Sequence, residues 1–276
     1  MRRTLIALAV TLLAASLASA HDDAVTLQRL GSALARGDEP AARLLLRAEI
    51  ERADGNWSAA EKDLARAARL VPGSAPLARC RAALALDRGR PADALSDLDA
   101  CGDPELAADP RVPWLRADAL LRLARVDDAA RVMDAALTHN AELTPERFLA
   151  RASLAERRPG EGASGAVAIL ASGLAHWPGA WTLLDRLVDL EVGLGRHDDA
   201  LARLDAFMPR VQRPEWVLMR RGDVLALAGR EWEAREAWTT ALDGLEARPV
   251  MDASAREMAG RLRASLSAPI ANGGIH

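Results

Sequence analysis

The sequence predicts an all-α fold, a right-handed superhelical solenoid of about six helical hairpins with capping helices at both ends. Three observations support this prediction: a repeat period near 34 residues, glycine and proline at the expected turns, and a helix-favouring composition. Half of the 276 residues are hydrophobic, tyrosine is absent, and no strand-like alternation occurs. The unbroken run of repeats favours one continuous superhelix over separate domains.

The repeat unit is clearest in residues 41–74. Two predicted helices are joined there by Gly55-Asn56, and Pro72 stops the second. The first helix carries the small Ala48, and the second carries a small–large–small stripe, Ala60/Leu64/Ala67. Small residues let neighbouring helices approach closely and the large residue fills the gap, so each hairpin buries its apolar face only against the next.

The stripe recurs five more times, and the first stripe residues are 34, 35, 37, 34 and 34 residues apart. The later stripes, which define repeats two to six, are Ala94/Leu98/Cys101, Ala129/Met133/Ala136, Ala166/Leu170/Gly173, Ala200/Leu204/Phe207 and Ala234/Trp238/Ala241. Each first helix contributes one small or modest side chain: Ala48, Ala82, Ala117, Ala152, Val188 and Gly222.

Turn residues follow the same period. Four hairpins share a glycine five residues before the stripe, which suits a left-handed helix end: Gly55, Gly89, Gly195 and Gly229. Prolines fall at or near the starts of the first helices, at Pro40, Pro76, Pro113, Pro145, Pro178 and Pro214. Repeat three has Ala124-Arg125 where the turn glycine is expected, and repeat four carries an insertion in ERRPGEGASG.

This pattern resembles the tetratricopeptide repeat over residues 41 to about 246, in six copies of varying quality. The resemblance implies that the first helices line a concave groove that binds extended peptides or partner helices. Residues 41–250 are therefore expected to form the solenoid. We expect capping helices over residues 21–40 and 251–268, with Met258, Leu262 and Leu266 as the apolar face of the second.

The N-terminus has the pattern of a secretory signal peptide. Residues 1–20 combine a charged start, an apolar run from Leu5 to Leu17, and Ala18-Ser19-Ala20 before a cleavage site after Ala20. The alternative, a membrane anchor, needs about 20 apolar residues, more than this run supplies. The sequence thus predicts export to the periplasm without a stable membrane anchor, and a disordered tail over residues 269–276.

Cys80 and Cys101 are the only cysteines, and both lie in repeat two. Antiparallel helices would bring these helix ends together, so a disulfide is one interpretation in an oxidising compartment. The other is two buried thiols that act as small fillers.

Catalytic and metal-binding motifs are absent from the sequence. The five histidines have no metal-ligand or catalytic spacing, and no HExxH, CxxC, GxSxG or phosphate-binding glycine loop occurs. We therefore predict no enzyme activity, no cofactor and no metal site. Cleavage would leave His21 as the first residue, where its amine and ring could chelate copper if a further ligand were present. The net charge of −3 gives no attraction to nucleic acid.

A second stripe on the first helices is the predicted partner-binding groove. Its residues are Trp114, Asp118 and Arg122 in repeat three, Asp185 and Asp189 in repeat five, and Trp216, Met219 and Asp223 in repeat six. Spacings of three and four place each set on one helix face. The alternative for Trp114 and Trp216 is packing between helices. We expect Trp57, Trp232 and Trp238 to have a structural role. Trp181 fits either a structural or a binding role.

Two functional hypotheses follow. The first is an exported scaffold that binds a protein or peptide partner during assembly of a cell-envelope complex, because tryptophans beside carboxylates suit a partner with apolar anchors and basic groups. The second is an envelope accessory that binds a small ligand, a metal ion or a glycan fragment, in the same groove.

Overall fold

The computed structural model describes residues 40–139 and 143–267, and these residues form α-helices, one 3-10 helix and connecting turns, without a β-strand. The all-α helical-repeat prediction is therefore confirmed for the described residues. The predicted signal peptide, His21, residues 21–39 of the capping helix predicted over 21–40, and the tail over 269–276 lie outside them. The described residues form two compact units, and the boundary between them lies between Arg151 and Ala152. Continuity of the superhelix across both units stays a prediction.

Unit one contains three hairpins and the start of a fourth. Its helices are α1 (Pro40–Ala53), α2 (Trp57–Leu70), α3 (Ala75–Asp87), α4 (Pro91–Asp99), α5 (Pro104–Ala108), α6 (Val112–Arg122) and α7 (Val126–Thr138). The boundary between the units falls within α8 (Pro145–Arg157).

Unit two completes the fourth hairpin and adds two more and a terminal helix. Its elements are α9 (Gly162–His176), α10 (Trp181–Gly193), α11 (His197–Phe207), a 3-10 turn (Met208–Arg210), α12 (Glu215–Leu227), α13 (Glu231–Glu246) and α14 (Ala253–Ser267).

The small residues of the repeat are buried as predicted. The six alanines that open the stripes are 0% exposed: Ala60, Ala94, Ala129, Ala166, Ala200 and Ala234. The small residue of each first helix is buried as well. In repeat one, Ala48 and Leu64 belong to a single apolar cluster that extends to Leu77 and Leu84 of α3. The apolar face of repeat one is thus covered by the following hairpin.

Repeat six replaces the usual pairing of alanine and leucine with glycine and tryptophan. A methyl group at Gly222 would lie 2.4 Å from both Cδ1 and Nε1 of Trp238. The indole needs the space that an alanine side chain would take. The sequence change at the two positions is therefore one compensated exchange, and Trp238 is structural, as predicted.

The turns between first and second helices use the left-handed backbone region. Gly55, Gly89, Gly195 and Gly229 have φ values between 69° and 78°, which confirms the role predicted for them. Ala124 occupies the same turn position in repeat three with a φ of 58°. The turn geometry is thus retained where the glycine is missing, and the alanine carries the backbone strain.

Repeat two departs from the regular hairpin. Its second helix, α4, has 9 residues, whereas α7 has 13. The chain leaves α4 near Ala100 and then forms the short helix α5, which the repeat pattern does not predict. Asp103 caps α5 by accepting a hydrogen bond from the Glu105 amide at 3.0 Å.

An Arg–Asp ion pair recurs at three joints between hairpins. In each case the arginine directly precedes the small residue of a first helix, and the aspartate lies five residues after the first stripe alanine of the preceding hairpin. The pairs are Arg116–Asp99, Arg151–Asp134 and Arg221–Asp205. Arg151, 3% exposed, forms two hydrogen bonds to Asp134, at 2.7 and 2.9 Å. These pairs link neighbouring hairpins at equivalent positions of the repeat.

The two cysteines are free thiols, so the disulfide interpretation does not agree with the structure. Cys80 lies in the apolar cluster of repeat one, and its Sγ donates to Glu49 Oε1 at 3.2 Å. Cys101 lies beyond the end of α4 and donates to the carbonyl oxygen of Gly73 at 3.2 Å. Each thiol is held by a different partner. Burial, with a smaller contribution from Glu49, raises the pKa of Cys80 to about 12.

The predicted C-terminal capping helix is present as α14. It buries Ala255, Ala259 and Leu262 against Ala241 and Leu245 of α13, and Met258 packs at the edge of this cluster. The last hairpin is therefore covered on its open side. Among the described residues, no helix combines the length and apolar character needed to cross a bilayer.

Candidate functional site

In unit one, the predicted groove stripe forms contacts between successive first helices. Trp114 is 3% exposed, and the guanidinium of Arg147 from α8 lies over its ring, 4.5 Å from the centroid. The expectation that Trp114 contacts a partner directly therefore does not fit the structure, because α8 covers the indole. Packing between helices, the alternative reading of the sequence, describes it.

Asp118 and Arg122 pair with each other on the same face of α6. Nε and Nη2 of Arg122 donate to the two carboxylate oxygens of Asp118, at 3.0 and 2.9 Å. Nη1 of Arg122 donates to the carbonyl oxygen of Leu86 at 2.6 Å, near the C-terminus of α3. This pair thus fastens α6 to α3 by binding a carbonyl in the last turn of that helix.

Met219 and Asp223 on α12 also have internal partners. Met219 packs against the cluster that α13 and α14 form. Asp223 Oδ1 accepts a hydrogen bond from Nε1 of Trp238 at 3.1 Å. Burial raises the pKa of Asp223, and this hydrogen bond opposes the shift only partly. Both residues hold the end of the solenoid together.

Asp185, Asp189 and Trp216 come together in unit two with two residues that were not assigned to the groove, Trp181 and Arg220. Arg220 of α12 pairs with both aspartates of α10, with its Nε 3.1 Å from Asp185 Oδ1 and its Nη2 on Asp189. Trp181 packs edge-on against Trp216, at an interplanar angle of 74°. We call these five residues the α10–α12 surface.

The helical periodicity explains why the α10–α12 surface is continuous. Trp181 and Asp185 are four residues apart on α10, and Trp216 and Arg220 are four apart on α12, so each pair shares a face. The tryptophans meet at one end and the charged groups meet one turn further on. The i, i+4 spacing of Trp216 and Arg220 is visible in the sequence, but which neighbouring helix they face is not.

Phe207, at the end of α11, packs against both Trp181 and Trp216. Its ring centroid is 6.2 Å from that of Trp181 and 5.8 Å from that of Trp216, within the range of favourable aromatic pairs. Phe207 is buried, whereas both tryptophans are partly exposed. The aromatic part of the surface therefore has a fixed geometry.

The charged part of the surface has a surplus of negative charge. The side chains of Asp185 and Asp189 are 43% and 47% exposed, and one arginine, Arg220, serves both. Partial burial raises the pKa of Asp185; Arg220 opposes this shift, and the neighbouring Asp189 adds to it. A basic group from a partner would relieve the repulsion between the two carboxylates.

Two other tryptophans lie outside this surface and differ from expectation. Trp57 and Trp232, expected to be structural, are 42% and 78% exposed. Both stand at the start of a second helix, at a position that is not covered by the rest of the protein. Among residues 40–139 and 143–267, no group of three histidine, cysteine, aspartate or glutamate side chains is placed to hold a metal ion.

These features define a class, the helical-repeat proteins with the tetratricopeptide-repeat fold. Among solved structures, the chain is similar to PilF of Pseudomonas aeruginosa, with 14% identity and a TM-score of 0.51 over 82% of this chain and 98% of PilF. It is also similar to a tetratricopeptide repeat protein from Parabacteroides merdae, with 18% identity and a TM-score of 0.45 over 95% of this chain and 99% of that one.

A third similar structure is PilW, described as a widely conserved type IV pilus biogenesis factor, with 15% identity and a TM-score of 0.48 over 77% of this chain and 97% of PilW. No protein-family model and no curated protein sequence matches the chain. At 14% identity the similarity to PilF, with a TM-score of 0.51, shows the fold alone, and this fold agrees with the resemblance predicted from the repeats.

Proposed function

We propose that the protein is an exported, non-catalytic scaffold that binds a protein or peptide partner and supports assembly of a cell-envelope complex. The observation that carries the proposal is the α10–α12 surface, where two partly exposed tryptophans adjoin two half-exposed carboxylates that share one arginine. Tryptophan is enriched among the residues that contribute most to binding at interfaces. The partner segment is expected to present an apolar side chain followed by a basic one.

Export is proposed from residues 1–20 of the sequence. Fractionation of the native cells, followed by N-terminal sequencing of the purified protein, tests it. His21 is expected as the first residue of protein recovered from the periplasmic fraction. A chain that begins at Met1 in the cytoplasmic fraction would contradict export, but this result would say nothing about binding at the α10–α12 surface.

The binding proposal is tested with a pair of matched variants. The site variant, Asp185→Asn with Asp189→Asn, removes two charges from the surface with little change of shape. The control variant, Asp198→Asn with Asp243→Asn, removes the same charge from exposed positions on the second helices α11 and α13. Circular dichroism melting establishes that both variants are folded.

Each protein is immobilised and exposed to an envelope extract from the native cells, and the retained proteins are identified by mass spectrometry. The affinity for the recovered partner is then measured by calorimetry at low and high salt. Wild type and control are expected to retain the same partner, and the site variant to bind it about ten-fold more weakly and with less dependence on salt. Equal retention by all three proteins would refute the proposed surface.

A further inference from the structure

Unit one contains a cleft that the repeat pattern does not predict. It lies where α4 stops short, between α5, α6 and α7, and has a volume of about 780 Å³. Its apolar lining includes Leu98, Leu106, Val112, Val132, Ala135 and Ala136. Concave, mainly apolar clefts of about 300–1,000 Å³ are typical of small-molecule sites.

The two carboxylates that line the cleft already accept hydrogen bonds from other groups of the protein. Asp103 accepts the amide hydrogens of Ala75 and Glu105, at 2.8 and 3.0 Å. Asp109 accepts the amide of Arg111 at 2.9 Å and pairs with Arg79 at 3.2 Å. The backbone hydrogen bonds lower the pKa of Asp103. Both groups therefore have little need of a hydrogen-bond donor from a ligand.

Hydrogen-bond donors at the cleft remain available to a ligand. The guanidinium of Arg116 pairs through Nη1 with Asp99, its side chain is 31% exposed, and it carries five N–H groups in all. The imidazole of His139 also lines the cleft. The remaining N–H groups of Arg116 suit a ligand with one negative group at the end of an apolar body.

We propose that the cleft binds a small apolar carboxylate, with the hydrocarbon part against Leu98, Leu106 and Val132 and the carboxylate at Arg116. Arginine recognises carboxylates through charge-assisted, often bidentate hydrogen bonds. The site is independent of the proposed partner surface, which lies in unit two. Failure of either proposal therefore leaves the other standing.

Decanoate is the probe, and its binding to the full-length mature chain is measured by calorimetry. Ala135, exposed on α7 at the cleft, is replaced by tryptophan to fill the apolar space. Ala92→Trp, at an exposed position of α4 outside the cleft, is the matched control. Decanol, which has the same chain without the charge, tests the role of Arg116, as does the Arg116→Gln variant.

We expect one decanoate to bind per chain, with affinity unchanged by Ala92→Trp and at least about ten-fold lower in Ala135→Trp. We also expect decanol to bind wild type about ten-fold more weakly than decanoate, and Arg116→Gln to abolish that difference. If Ala135→Trp does not fold, Ala107→Trp fills the same cleft from α5. The proposal is overturned if decanoate shows no saturable binding, or if the cleft-filling variant binds it as well as wild type does.

Discussion

Replacement of Gly222 by alanine tests whether the close contact between α12 and α13 depends on a missing methyl group. The added Cβ would lie 2.4 Å from two atoms of the Trp238 ring, well inside van der Waals contact. The indole is rigid, its Nε1 donates to Asp223 at 3.1 Å, and its ring packs against apolar clusters on both sides. Relief of the clash must therefore move the ring out of contacts that it now makes.

The magnitude follows from two opposing effects. Overpacking of a core typically costs about 1–3 kcal/mol. Alanine is favoured over glycine inside a helix by about 1 kcal/mol. Because two ring atoms of Trp238 are involved, we take the upper part of the first range and expect a net loss of about 2 kcal/mol in the free energy of unfolding.

The control substitution is Gly260→Ala. Gly260 is exposed in α14, and an added Cβ there meets nothing within 4 Å. With the steric effect removed, this variant should gain about 1 kcal/mol from helix propensity alone. The two variants therefore shift stability in opposite directions although the chemical change is identical.

Urea unfolding followed by far-ultraviolet circular dichroism measures these free energies. The double variant Gly222→Ala with Trp238→Leu restores the alanine–leucine pairing of repeats one, two and four, so we expect it to recover at least about 1 kcal/mol relative to additivity. The reasoning is refuted if Gly222→Ala is as stable as wild type, or if the two substitutions add without coupling.

The remaining predictions concern the turn at Ala124, the two cysteine thiols, and the effect of acid on stability. Ala124→Gly should stabilise the protein by up to about 1 kcal/mol because Ala124 has a positive φ, whereas Gly89→Ala in the equivalent turn should destabilise it by about 1 kcal/mol; the same urea titration compares them, and equal signs would contradict the strain at Ala124. Ellman's reagent should titrate one thiol, Cys101, in the folded protein and both thiols after denaturation without reductant; fewer than two under denaturing conditions would indicate a disulfide. Hydrogen bonds from Arg47 lower the pKa of Asp63, so the stability that this carboxylate contributes to α1 and α2 is present at neutral pH and is lost below pH about 4. Burial raises the pKa of Glu191, so protonation favours the folded state and α10 and α11 should gain protection as the pH falls from neutral towards the ordinary glutamate pKa of about 4.3. Hydrogen exchange with mass spectrometry resolves both regions, and a parallel loss of protection in the two hairpins would contradict these signs.

The hairpins could be predicted from the sequence because steric rules govern the residues that define them. A left-handed turn favours glycine, and a close helix contact favours alanine. The turns at Gly55 and Gly89 and the helix contacts at the stripe alanines could therefore be located from the sequence. The short α5 could not be predicted in the same way. Its capping residue, Asp103, cannot be distinguished from the other aspartates in the sequence before the start of the helix is known.

The candidate site could be predicted only in part, because its residues depend on which helix lies opposite. Asp185, Asp189 and Trp216 were identified by their shared helix faces, but their common neighbour, Arg220, became apparent only when α12 was placed beside α10. Trp114 shows the opposite case. A tryptophan on the expected face is buried because Arg147 of α8, the first helix of the next repeat, covers it. Helical periodicity gives a direction, and the neighbour decides whether a side chain is accessible.

The Arg–Asp pair at the joints has a consequence for how such a chain can lengthen. Repeat three carries both halves, Arg116 on its first helix and Asp134 on its second. If the gene segment for this hairpin were duplicated in tandem, Asp134 of the first copy would meet Arg116 of the second in the register found at the existing joints. At this ion pair, a hairpin with both halves is thus compatible with a second copy of itself, whereas Trp114 of the first copy would lose the cover that Arg147 of repeat four now gives it.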